Sequence, residues 1–172
     1  MDNIEADTFW CFYNLMLTLK PLYDRKEDKK EDGILGKAKR LKNMLKITDK
    51  QLSEHLENIG FDFSVLVYKW ISLMFSQDFI ILDLLRLWDF LLCHENKYQN
   101  CYFCCLSIIL MKKEKLMSNE ISEIYECLQN LKDLEVENII SNAKYIEKKC
   151  GKKCIEIMNE RNFFNYFNKN EK

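Results

Sequence analysis

The densest group of chemistry-bearing side chains in this sequence is Cys101-x-x-Cys104, with Cys93, His94 and Cys105 close by. That spacing raises structural zinc first, but zinc wants four converging ligands. The second candidate pair, Cys150 and Cys154, is spaced for a helix face rather than a metal knuckle. Cys101 and Cys104 also lie in a helical run with no Gly or Pro turn to wrap an ion. The expectation is therefore no metal and no cofactor, with the eight cysteines present as reduced thiols, several of them small core residues. Neither His55 nor His94 can be tied to a nucleophile, and His55, beside the Leu52 and Leu56 stripe, reads as a boundary residue. Asp83 and Asp89 are too far apart along a helix to form an acid/base dyad, and no Gly-rich phosphate loop exists. Nothing in the residue pattern supports independent catalysis.

The elements that must hold these residues are helical. Four Gly and one Pro in 172 residues leave too little turn punctuation for an all-β fold. A mass of 20.8 kDa with 48% hydrophobic residues allows one domain with a real core. Charge is balanced, 26 Lys and Arg against 27 Asp and Glu, so the basic excess of a nucleic-acid binder is missing. Lys37, Lys39, Arg40, Lys42 and Lys46 form either a phosphate or lipid patch or, more simply, a solvated helix face. Asp2, Glu5 and Asp7 precede any apolar run, which argues against a signal peptide. The longest uncharged apolar stretch, 101–111, falls short of the ~20 residues a bilayer span needs. A soluble intracellular protein is expected.

Along the chain, 5–20 places Phe9, Phe12, Tyr13 and Met16 at helical spacing behind an acidic first turn, and Pro21 stops it. The all-charged segment 24–32 reads as a mobile connector. Ala38, Leu41, Met44 and Leu45 make the stripe of a helix over 34–46. Thr48, with Gln51 three residues on, reads as the N-cap of the next helix, which Gly60 ends. Segments 64–76 and 82–93 are apolar nearly all round, so both are expected at the centre of the array, with Asp62 or Ser64 capping the first and Asp78 in the turn between them. A buried helix over 101–117, one capped at Ser118 or Asn119 with Ile121, Ile124, Leu128 and Leu131, and one capped at Asp133 with Val136, Ile140, Ala143 and Ile146 follow. The tail 152–172 carries Phe163, Phe164, Tyr166 and Phe167 and is expected as a docked last helix or a frayed end. The fold class is all-α, an irregular array of about seven to nine helices.

Two blocks go beyond generic helix patterning. EADTFWCFYNLM, at 5–16, resembles the acidic-aromatic helix that follows the glutamine-finger motif of TBC domains, the activators of Rab GTPases. VLVYKWISLMFSQDFIILDLLRLWDFLL, at 65–92, is similar to that family's paired helices: an aromatic-Arg-Trp stretch, an LF-S/A-Q-E/D-F turn, then an R-x-WD stretch. Glu5, Asp7, Phe9, Phe12, Trp70, Gln77, Asp78, Phe79, Arg86, Trp88 and Asp89 occupy the signature positions, mainly structural ones, and Lys69 stands where the family often has Arg. The resemblance covers roughly 4–148 and is nearest to the short TBC-only members. It implies that 1–150 is the C-terminal half of a TBC domain, with 151–172 a C-terminal extension.

TBC domains speed GTP hydrolysis by supplying an arginine and a glutamine in trans, from I-x-x-D-x-x-R and Y-x-Q motifs upstream of the helix that begins near Glu5. No Y-x-Q occurs in these 172 residues. Ile80, Asp83 and Arg86 do spell I-x-x-D-x-x-R, but inside the later R-x-WD helix, so Arg86 is a decoy expected to pair with Asp83 or Asp89. The resemblance thus implies no catalytic residue here and a chain that binds a GTP-bound Rab at most. It also implies a cytoplasmic location, peripheral on endomembranes and touching them only through the Rab. A fragment of a full activator is the expected origin, since a chain starting within the domain exposes the surface that packs on the missing half. A helical interaction scaffold with no GTPase partner is the alternative.

Overall fold

The structure, a computed structural model, describes residues 3–93, 97–118 and 120–159. Among the described residues there are nine α-helices and no strand, as the scarcity of Gly and Pro requires. In chain order they are α1 (Ile4–Leu19), α2 (Ile34–Thr48), α3 (Lys50–Asn58), α4 (Ser64–Leu66), α5 (Ile81–Leu92), α6 (Lys97–Met111), α7 (Lys113–Ser118), α8 (Ile121–Gln129) and α9 (Val136–Asn159).

The centre of the array is α6. Every residue from Cys101 to Ile109 is buried, and α2, α5 and α9 pack around it. Three of its thiols lie in this shell, where small apolar side chains let neighbouring helices approach closely. Segment 64–76 does bury Leu66, Val67, Trp70, Ile71, Met74 and Phe75, whereas the expectation that 82–93 is covered on every side is corrected. Helix α5 buries Leu84, Leu87 and Leu91 but leaves Ile80, Ile81, Leu82 and Leu85 on the outside. Apolar composition fixes that a face wants cover, not which neighbour supplies it.

Segment 64–76 is also not one helix. After the short α4 the backbone widens into a π-helical turn, Val67–Ser72, in which the Ser72 hydroxyl donates to the Val67 and Tyr68 carbonyls. The Phe75 N–H then reaches back five residues to the Trp70 carbonyl. Met74 and Phe75 follow with φ of 48° and 60°, a left-handed conformation that non-glycine residues adopt only under constraint. Two constraints are visible: the Trp88 indole donates to the Met74 carbonyl at 2.8 Å, and Phe75 stacks on Trp70 with centroids 5.9 Å apart.

Helix boundaries follow local chemistry. Pro21 converts the end of α1 into a 3-10 turn, Lys20–Leu22. Asp49, not Thr48, caps α3: its carboxylate accepts from the Leu52 N–H at 3.0 Å, while the Thr48 hydroxyl turns back to the Met44 and Leu45 carbonyls as the last residue of α2. Both are good capping residues in adjacent positions, and only Asp49 has the extended backbone a cap needs. Gly60, at φ 75°, ends α3 as expected. The N-cap position of α4 falls to Phe63, which has no side-chain cap bond, rather than to Asp62 or Ser64; Asp62 accepts from the Ser64 N–H in the turn just before it. Asp133 does not cap α9; its carboxylate instead pairs with Lys112 at 2.7 Å. Asn119 lies outside the described residues, and the Ser118 hydroxyl bonds back to the Glu114 carbonyl.

The charged segment 24–32 runs as successive turns, with Glu27, Lys30 and Gly33 each donating to the carbonyl three residues back. It lies over the start of α2, where the Asp28 carbonyl accepts from the Leu35 N–H and the Glu31 carbonyl from Arg40 at 2.7 Å. The Leu35 bond satisfies one of the helix-start donors that a glycine cap at Gly33 leaves open. The approach is close: a Cβ on Gly36 would lie 2.2 Å from the Glu31 carbonyl oxygen. Helix α9 continues through residue 150 without a break to Asn159, and Phe163, Phe164, Tyr166 and Phe167 lie outside the described residues.

Candidate functional site

The signature residues fall into three places. Trp70, Asp78, Phe79 and Trp88 gather around the left-handed turn, with Gln77 exposed at its tip. Within this group the Asp78 side chain is 1% exposed and pairs with Lys69 at 2.6 Å. The same ammonium donates to the Gln129 carbonyl at 2.7 Å, stapling the turn to the last residue of α8. Burial pushes the Asp78 carboxyl upward, and Lys69 offsets only part of that. Neither carboxylate oxygen has a hydrogen-bond partner of good geometry, so Lys69 compensates Asp78 as a nearby point charge.

Glu5, Asp7, Phe9 and Phe12 stand apart on α1. Residues 3–14 are exposed on every side, and Leu19 is the one buried residue of that helix. Its last turns anchor it: Leu15 and Met16 pack against the core, and the Tyr98 hydroxyl donates to the Thr18 carbonyl at 2.5 Å.

Arg86 and Asp89 occupy the outer side of α5. The expected partners of Arg86 are corrected: it pairs with Glu137, in the first turn of α9, and its side chain is 66% exposed. Glu137 is remote in sequence, so helical spacing within α5 offers no sign of it. Spelled as I-x-x-D-x-x-R or not, Arg86 here ties two helices together at the surface.

The lysines and arginine of α2 do not form one patch. Lys37 is buried with its ammonium 3.6 Å from the centroid of the Tyr98 ring, Arg40 reaches Glu31 and Asp32, and Lys42 bonds Glu57 at 2.8 Å. Burial lowers the Lys37 pKa to about 8, against the pull of Asp32. Sequence reasoning missed this buried lysine because a charged residue on an amphipathic helix is ordinarily solvated.

The cysteine group is equally unsuited to chemistry. Burial raises the Cys101 thiol to about 12 and the Cys104 and Cys105 thiols well above their ordinary value, so all three stay protonated. Among the described residues no group of three or more His, Cys, Asp or Glu could hold a metal ion. His55 is half-buried with Nε2 unpartnered, and His94 lies outside the described residues. No described helix is long and apolar enough to cross a membrane.

The fold is an all-α array, and comparison with known proteins places it in a family. A model of the Rab-GTPase-TBC domain family matches residues 1–117. The human TBC1 domain family member 13 is 27% identical over 146 residues, covering 85% of this chain and 36% of that protein. The human TBC1 domain family member 22A is 26% identical over 131 residues, covering 75% and 25%. A TBC domain-containing protein of Schizosaccharomyces pombe is 26% identical over 141 residues, covering 73% and 23%. No solved structure matches. The chain belongs to the Rab-GTPase-TBC domain family, and it spans about a third or less of the length of these relatives.

Proposed function

We propose that this chain is a partial Rab-GAP domain that recognises a GTP-bound Rab without supplying the arginine and glutamine that drive hydrolysis. The family match over residues 1–117 carries the Rab half of this reading. The second half rests on the residues present. No Y-x-Q occurs in the 172 residues, and the one I-x-x-D-x-x-R spelling ends at Arg86, which is engaged by Glu137. A finger must be free to reach a transferring phosphoryl group and be aimed there before reaction. Arg86 lies on a surface helix with its guanidinium held by a carboxylate.

Glu5, Asp7, Phe9, Phe12, Trp70, Gln77, Asp78, Phe79, Trp88 and Asp89 act in this reading as structure rather than catalysis. Trp70, Asp78, Phe79 and Trp88 fix the turn that sets the angle of α5. Localisation then follows the Rab, at the cytoplasmic face of the membrane that carries it.

Titration of the purified chain against a panel of Rab proteins, each loaded with GDP and aluminium fluoride and then with GDP alone, tests the reading. Saturable binding to one or a few Rabs, stronger in the fluoride state, is expected. Equal or no response across the panel overturns it in favour of a helical scaffold without a GTPase partner.

A further inference from the structure

Lys144, Lys148, Lys149, Lys152 and Lys153 stand within one stretch of α9, in a chain whose net charge is −1. All five are exposed. They form two rows at four-residue spacing, Lys144 with Lys148 and Lys152 in one, Lys149 with Lys153 behind Tyr145 in the other. The opposite side of the helix buries Ile146, Gly151 and Cys154, so the body of the protein holds the lysines outward. Between 138 and 155 the one acid is Glu147, which accepts from the Gln99 side chain at 2.9 Å. No carboxylate among the described residues pairs with any of the five lysines. Like charges four residues apart on a helix repel and weaken it, so α9 carries a cationic face that nothing on its own surface offsets.

We propose that this face of α9 rests on an anionic membrane leaflet, held there by charge and lying along the surface. Charge complementarity is the first support: a helix face with this many cations and no exposed acid matches a layer of anionic headgroups. Composition is the second. All five cations are lysine. Arginine's planar fork suits a fixed carboxylate or phosphate, and lysine is depleted at protein interfaces, whereas an ammonium point charge suits headgroups that move. The third support is Tyr145, 60% exposed, with the Lys149 ammonium 5.9 Å from its ring centroid. Such a ring, apolar in body and polar at its tip, fits headgroup depth. It is the one aromatic residue of 138–155, too few to stack successive bases of a nucleic acid. The stretch 144–153 is about 14 Å long, and flexible lysine stems let ammoniums on the flanks of the arc reach one plane.

Co-sedimentation of the full chain with lipid vesicles, with no GTPase present, tests this independently of the Rab reading. Binding to phosphatidylcholine vesicles containing about 30% phosphatidylserine is expected, with none to phosphatidylcholine alone. Added salt should release the chain, since the attraction is screened. At about fivefold per lysine near a charged surface, Lys148→Gln with Lys152→Gln should lower the partition coefficient by about 25-fold. Helical circular dichroism should not change, because both side chains lie outside the core. Lys29→Gln with Lys50→Gln removes the same charge from exposed sites elsewhere and should change partitioning by less than about threefold. Indifference to phosphatidylserine, equal losses for the two pairs of substitutions, or tighter binding to single-stranded RNA than to the vesicles overturns the proposal.

Discussion

The Lys69 ammonium lies 2.6 Å from the buried Asp78 carboxylate, joining a π-helical turn to the end of the left-handed turn that follows it. A buried carboxylate is costly unless paired, and here a single point charge supplies the pairing. Lys69→Met leaves Asp78 uncompensated and should destabilise the protein by about 3 kcal/mol in urea denaturation at neutral pH. Lys69→Arg can reach Oδ2 as well and should stabilise by about 0.5–1 kcal/mol. Since burial raises the Asp78 carboxyl, the folded protein takes up this proton before the unfolded chain does. The cost of ionising Asp78 is therefore absent at acid pH and grows as pH rises through the carboxylate range, so the Lys69→Met penalty should shrink on acidification.

Asp49 joins two supports, the N-cap of α3 and an ion pair to Lys113. Burial alone would raise its carboxyl, but the Lys113 and Leu52 hydrogen bonds bring it below the ordinary value. A depressed folded pKa means stability present above the unfolded value and lost as pH falls through the folded one. Asp49→Ala should cost about 1–2 kcal/mol at neutral pH and progressively less in acid. Thr48→Val, removing a hydroxyl that only turns back to its own helix, should change stability by less than ~0.5 kcal/mol. Equal losses for the two would return the cap to Thr48.

Gly36→Ala places a methyl against the Glu31 carbonyl and should cost about 1–3 kcal/mol as the 24–32 turns are pushed off α2. The lysine-rich segment then becomes the first site of tryptic cleavage. In the native sequence, cleavage within 24–32 should lag well behind that of the variant.

Arg86→Ala removes one exposed ion pair to Glu137 and should shift stability by less than ~1 kcal/mol. It should leave Rab affinity unchanged in the panel titration. A variant that folded normally but lost a GTPase stimulation present in the native chain would make Arg86 a finger after all.

Much of the architecture is legible in the residues. The stripes of α2, α3, α8 and α9 stand in the sequence because one covered face repeats at 3.6 residues. The π-turn is not legible, since Val67–Ser72 contains no residue that demands it, and Met74 and Phe75 have no intrinsic preference for positive φ. The Trp88 indole, from the next helix, and the Phe75 stack on Trp70 hold the left-handed turn. Arg86 illustrates the same limit at the candidate site: its partner lies on α9, beyond the reach of any local pattern. The bare faces of α1 and α5 were readable as apolar, but burial depends on neighbours that composition does not name.

Single-turnover GTP hydrolysis by the Rab that binds, measured as phosphate release with the chain at saturation, tests the central claim most directly. Hydrolysis at the intrinsic rate of that Rab is expected, with binding unchanged by Arg86→Ala. Acceleration by the 172-residue chain would contradict it and place a catalytic side chain among residues assigned here to structure.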